Sequence, residues 1–211
     1  MNEITRLREP YSTPERQQEA AMMGAYIFLA TEIMLFGGLF LVIAWLRYSH
    51  APDVVAASKR MHLGLGALNT AVLLTSSALV ALSVAAAREG KPAPVRLGLC
   101  GATLLGLAFL AVKAMEYRFE YREGLLPVPG SGAALSKAGE HLFMNFYLIS
   151  SGLHAIHLTI GVLLLAGLLI RSMAGRLPLP DRAIVVTVIG LYWHFVDIVW
   201  IFLFPLLYLA R

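Results

Sequence analysis

The sequence predicts an all-α polytopic membrane protein, a bundle of five transmembrane helices. Two observations carry that expectation. Of the 211 residues 58% are hydrophobic and only 14% are charged, with a mean hydropathy of +0.71, a composition that soluble domains rarely show. Crossing a hydrocarbon layer of ~30 Å takes about 20 residues at 1.5 Å rise each, and five apolar runs reach that length, at residues 24–46, 63–86, 97–117, 143–170 and 184–208.

Residues 1–22 read as a polar N-terminal tail and 23–211 as the five-helix domain. The tail mixes Glu3, Glu9, Glu15 and Glu19 with Arg6, Arg8 and Arg16, unlike the basic stub of a cleaved signal peptide. The first span is therefore expected to stay in the membrane, and an odd number of spans puts the termini on opposite faces. Basic residues resist translocation. Arg6, Arg8, Arg16, Arg88, Lys91, Arg96, Arg171, Arg176 and Arg182 share the N-terminal face, nine against seven (Arg47, Lys59, Arg60, Arg118, Arg122, Lys137 and Arg211). That excess favours a cytoplasmic N-terminus.

Span one, "GAYIFLATEIMLFGGLFLVIAWL", holds Glu32 near its middle, and Gly37 and Gly38 offer a smooth patch to another helix. The connection "RYSHAPDVVAASKRMH" is polar enough to lie outside the bilayer, and its Pro52 forbids simple continuation of the helix. Span two is a ladder of small and hydroxylic residues, among them Asn69, Thr70, Ser76, Ser77 and Ser83. Such a helix packs on several sides, its hydroxyls bonding across to neighbours or back to its own carbonyls. The short turn "REGKPAPVR" makes spans two and three antiparallel partners. Span three ends with Lys113, Glu116 and Glu120 at helical spacing, expected to reach out to the headgroups. In the longest connection, Pro127, Pro129, Gly130 and Gly132 mark a folded surface segment. Span four sets His154 and His157 one turn apart on one face, and span five carries "YWHFVDIVW" at its centre, with Pro205 expected to bend its last turn.

Glu32, His154, His157, His194 and Asp197 all fall near the middle of their spans, where a charged side chain costs roughly 2.5 to 3.5 kcal/mol on insertion scales. They are expected to face inward and bond to one another, a polar seam that sets the order and rotation of the helices. Two other readings stay open: histidines from two helices holding a haem iron, as in a small b-type cytochrome, or a proton path or proton-coupled carrier. Five spans do not divide into the inverted halves common in carriers. The single cysteine, Cys100, lies within an apolar span and supplies neither a disulfide framework nor a thiolate metal site. The pI of about 9.4 comes from basic residues scattered among the loops, which suits anionic lipid headgroups and offers no footprint for nucleic acid. Nucleophile turns and phosphate-cradling glycine loops are missing.

In order and content these segments resemble the haem-copper oxidase subunit III family (cytochrome c oxidase subunit 3), in its five-helix form. "LATEIMLFGGLF" resembles the family's glutamate helix, "LNTAVLLTSS" the next, "KAMEYRFEY" the one with a glutamate-tyrosine pair, "GLHAIHLTIG" the two-histidine helix, and "YWHFVDIVWIFLF" the closing signature. Position by position the resemblance carries a membrane glutamate to Glu32, a histidine pair to His154 and His157, and signature residues to Asn69, Glu116, Tyr117, Trp193, His194, Asp197 and Trp200. It implies a non-catalytic core subunit of a respiratory terminal oxidase in a bacterial inner membrane, with no cofactor of its own. Haem and copper then sit in partner subunits, subunit I is the main contact, subunit II belongs to the same complex, and bound phospholipid is expected. An accessory subunit of a nitric oxide reductase is the alternative within the family. Members with seven helices have two more before this point, so a lipid-filled cleft of the kind those helices enclose requires a partner to supply its other wall. A bond between Glu32 and a histidine of span four is expected as well.

Overall fold

A computed structural model describes residues 13–126 and 137–209 as six helices, with no strand among them. Five of these helices are long and apolar enough to span a bilayer. The connection with Pro127, Pro129, Gly130 and Gly132 lies outside the described residues, as does the segment before Thr13.

Helix α1 (Pro14–Ser49) begins earlier than the first apolar run, inside the segment read as a tail. Thr13 caps it, accepting from the Arg16 amide at 3.3 Å, Pro14 opens the first turn, and Glu15 meets the positive end of the helix dipole. Pro52 does end α1, but the connection that follows is not simply polar loop: α2 (Ala51–Lys59) occupies it. Its Val54, Ala57 and Ser58 are buried, and the Ser58 hydroxyl donates to the Leu207 carbonyl at 2.9 Å. Two turns are too few for a hydropathy window to register.

Helices α3 (Leu63–Arg88) and α4 (Pro92–Arg122) form an antiparallel pair through a tight turn in which Gly90 adopts φ +72°, a left-handed conformation that side chains disfavour. They approach so closely that a methyl group on Gly98 would strike the Ser83 hydroxyl and lie 2.9 Å from the Leu79 carbonyl. The outer face of α3 leaves Leu68, Leu74 and Leu82 exposed, so α3 is covered on two sides only, by α4 and α6. Helix α5 (Ala138–Met173) is the longest described helix together with α1, and α6 (Ala183–Tyr208) continues through Pro205. So near the C-terminal end, proline removes one backbone bond without ending the helix.

Helix α6 packs against α1, α2, α3 and α5, while α3 packs on α4, α4 on α5 and α5 on α1. Helices α1 and α3 do not meet among the described residues, so the flank of α6 between them lies open. On the opposite side Trp193 locks the bundle. Its ring is 1% exposed, its Nε1 donates to Ser76 of α3 at 3.1 Å, and it lies against Gly106 of α4 and Gly161 of α5. A Cβ at Gly106 would sit 2.7 Å from both Trp193 Cη2 and Val162 Cγ2, and one at Gly161 would sit 2.9 Å from Trp193 Cε3.

With no room for the indole to yield, Gly106→Ala should destabilise by about 1–3 kcal/mol and Trp193→Ala by about 3–5 kcal/mol. Gly152, where an added methyl meets open space, should tolerate alanine within about 0.5 kcal/mol. Thermal unfolding of the protein in mild detergent distinguishes the three.

A buried polar network

At mid-depth, Glu32 of α1 and His157 of α5 meet, Oε2 to Nε2, at 2.9 Å. The other ring nitrogen, Nδ1, lies 2.8 Å from the Leu153 carbonyl. A carbonyl only accepts, so Nδ1 carries a hydrogen. One further proton then serves the Nε2 to Oε2 contact: on nitrogen it makes an imidazolium beside a carboxylate, on oxygen a neutral pair. The net charge is zero in both states. The Tyr192 hydroxyl donates to the His157 carbonyl at 3.0 Å, and the Phe36 ring packs edge-on against the imidazole at 5.2 Å.

The remaining residues expected in the seam do not join this pair. His154 is fully buried between Phe109 and Trp200, with ring centroids at 5.7 and 5.1 Å, and neither of its nitrogens finds a hydrogen-bond partner. His194 meets Ser77 of α3, Nδ1 to Oγ at 2.6 Å, and Asp197 faces the same serine. Glu32 and His157 are thus the pair among the five that bonds directly. His154 and His157 project to different sides of α5, while His194 and Asp197 of α6 turn to Ser77 of α3, which a common depth alone does not reveal. Asn69 is buried with its amide unpartnered, while the Trp200 indole donates to Thr70 at 3.1 Å.

Span three corrects the expectation most sharply. Lys113, Glu116 and Glu120 do not reach for the headgroups; they are 2%, 0% and 0% exposed. The Lys113 ammonium donates all three of its hydrogens: to Glu116 Oε2 at 2.9 Å, Tyr147 at 3.0 Å and Tyr208 at 2.7 Å. The Tyr208 hydroxyl passes a hydrogen bond on to Glu116 Oε1 at 2.6 Å, so both carboxylate oxygens are satisfied. The ammonium also lies 4.7 Å from the Tyr147 ring centroid and 5.2 Å from that of Trp200, within cation–π range. Tyr117 completes the cluster through Ser151, at 2.7 Å. Glu120 closes no hydrogen bond, though the Tyr147 hydroxyl faces it.

The cluster's apolar and aromatic walls explain the reversal. Reaching out suits a lone lysine near a helix end, but here α5 and α6 bring two tyrosines and α4 its own carboxylate. Tyr147 and Tyr208 were not among the residues expected at the site, and they stand 34 and 95 positions from Lys113. Among the described residues no three metal-ligating side chains gather into a metal-binding group.

The family model described as cytochrome c oxidase subunit III matches residues 13–210. The chain belongs to that family. Subunit III is a non-catalytic component of haem-copper oxidases, which are oxidoreductase complexes, and this chain is accordingly a multi-pass membrane protein of an oxidase assembly. Quinol oxidase subunit 3 of Bacillus subtilis is 31% identical to it over 89% of this chain and 86% of its own length. Cytochrome c oxidase subunit 3 of Thermostichus vulcanus is 28% identical over 89% of this chain and 86% of its length. A haem-copper oxidase subunit I+III of Aeropyrum pernix is 28% identical over 96% of this chain, which spans 24% of that longer protein.

Removing the ammonium strands buried carboxylates, so Lys113→Met in this subunit III should cost about 3–5 kcal/mol. Adding Glu116→Gln, which keeps an acceptor for Tyr208 without the charge, should restore part of it. Melting midpoints of the single and double variants in detergent check the order.

Proposed function

We propose that this chain is the non-catalytic third subunit of a respiratory haem-copper terminal oxidase in a bacterial inner membrane. In this reading its N-terminus is cytoplasmic, it packs against subunit I in a complex that includes subunit II, and its partners hold the haem and copper. Phospholipid covers its outer apolar surface, of which the α1 face with Ile33, Met34, Leu41 and Trp45 is the broadest stretch. The match to subunit III relatives of both cytochrome c and quinol oxidases supports the assignment, and a relative whose name joins subunits I and III supports the pairing with subunit I.

Its contribution to the complex is stability and proton supply. The Glu32–His157 contact carries that reading. A neutral pair sharing one proton tolerates the middle of a membrane, and it passes the proton between two atoms 2.9 Å apart without creating net charge. Glu32 is only partly buried, so the pair is open to a neighbour on its α1 side.

Purification of the tagged chain from its own membranes should bring haem and copper subunits with it in stoichiometric amounts. Recovery of a nitric oxide reductase instead, or a haem spectrum from this chain alone, contradicts the assignment. Glu32→Gln should leave assembly and the initial rate of oxygen consumption intact while activity decays faster during sustained turnover. An unchanged decay, with unchanged proton uptake, removes the proton role.

A further inference from the structure

The open flank of α6 between α1 and α3 is not uniformly apolar. Its accessible stripe runs from the half-buried Leu191 and His194 to the exposed Ile198, Ile201 and Phe202, one face of a helix by spacing, and Ile198 and Phe202 are 50% and 56% exposed. Phe40 of α1 packs against Phe202 on one side, with tilted rings at 6.0 Å, and Ser77 of α3 bonds His194 on the other. His194 is therefore a partly exposed imidazole near the midpoint of α6, on the floor of a lipid-facing groove. Its Nε2 makes no hydrogen bond among the described residues. Directly behind it, one turn on, Asp197 is only 4% exposed, and its Oδ1 has no partner at all.

Hydrocarbon supplies no donor or acceptor, and polar side chains at mid-membrane are found facing protein or water rather than acyl chains. Lipid headgroups are half a bilayer away from this depth. An apolar helix leaning on the groove would leave the imidazole nitrogen unmet. We infer that this groove is the docking face for a transmembrane helix of the catalytic subunit, whose hydroxyl or carboxamide side chain bonds to the His194 Nε2 at mid-membrane. Such a side chain both donates and accepts, so it meets the imidazole Nε2 in either tautomer. The inference rests on the subunit assignment proposed above, and the relative named subunit I+III fits a partner held close.

Two measurements on the full complex test it. A photoreactive benzoylphenylalanine at Ile198, activated in native membranes, should yield a covalent product with the mass of this chain plus the catalytic subunit. His194→Leu should weaken retention of that subunit in mild detergent by about threefold to twentyfold, the range of one interhelical hydrogen bond. Ile198→Trp, which obstructs the groove from an exposed position, should weaken it as well, with the melting midpoint of the chain itself unchanged. If the complex copurifies intact but Ile198 captures only lipid or a second copy of this chain, the docking face is overturned and the subunit assignment stands. Retention unchanged in both variants overturns it too. If no haem-copper subunit accompanies the wild-type chain, both readings fall.

Discussion

A charged or hydrogen-bonding side chain dissolved in oil must be met by another side chain, and that requirement organises this bundle. Lys113 is its strictest instance: a wholly enclosed ammonium that spends three donors on one carboxylate and two phenols from three different helices. Rotate α4 by a fraction of a turn, or shift α6 along its axis, and a charge is left bare. Leucine and valine surfaces slide over one another at little cost in a membrane, because lipid is as apolar as they are. The polar contacts therefore set the register that apolar packing alone leaves loose.

Packing then fixes how near the helices come. Trp193 occupies slots at Gly106 and Gly161, and its indole hydrogen reaches Ser76, so one residue of α6 touches α3, α4 and α5. Trp200 repeats the device one level on, donating to Thr70 and walling both His154 and the Lys113 ammonium. Helix α1 lies at the edge of this core, with Phe36, Ile43 and Leu46 buried in it. It is the least buried of the five spans, and Glu32 to His157 is its mid-depth polar tie to α5. A helix with one polar tie at mid-depth, at the edge of the bundle, can present a shared proton to a neighbour while the core stays rigid.

Much of this was legible in the residues. Spans follow from hydropathy because a bilayer leaves few other ways to satisfy the backbone, and "YWHFVDIVW" identified the family before any geometry. The Glu32 contact with a histidine of the fourth span was likewise expected, and it forms with His157. Less was legible where the answer depended on distant residues. Lys113, Glu116 and Glu120 form a stripe near a helix end, and the stripe reads equally as outward-reaching or inward-facing until Tyr147 and Tyr208 are placed beside it. Helix α2 is too short for a hydropathy window, though Val54 and Ala57 beside Ser58 hint at its buried side. Equal depth in "WHFVD" and "HAIH" hid the fact that His154, His157 and His194 project to different neighbours.

The account stands on inward charge pairing, and the contact between Lys113 and Glu116 exposes it most directly. Solid-state NMR on the complex in lipid bilayers, with 15N on the lysine ammonium and 13C on the glutamate carboxyl, reports their separation. The account predicts strong dipolar coupling, in keeping with the 2.9 Å nitrogen to oxygen contact. A separation beyond about 5 Å, too far for a direct hydrogen bond, would put the ammonium outside the bundle and contradict it.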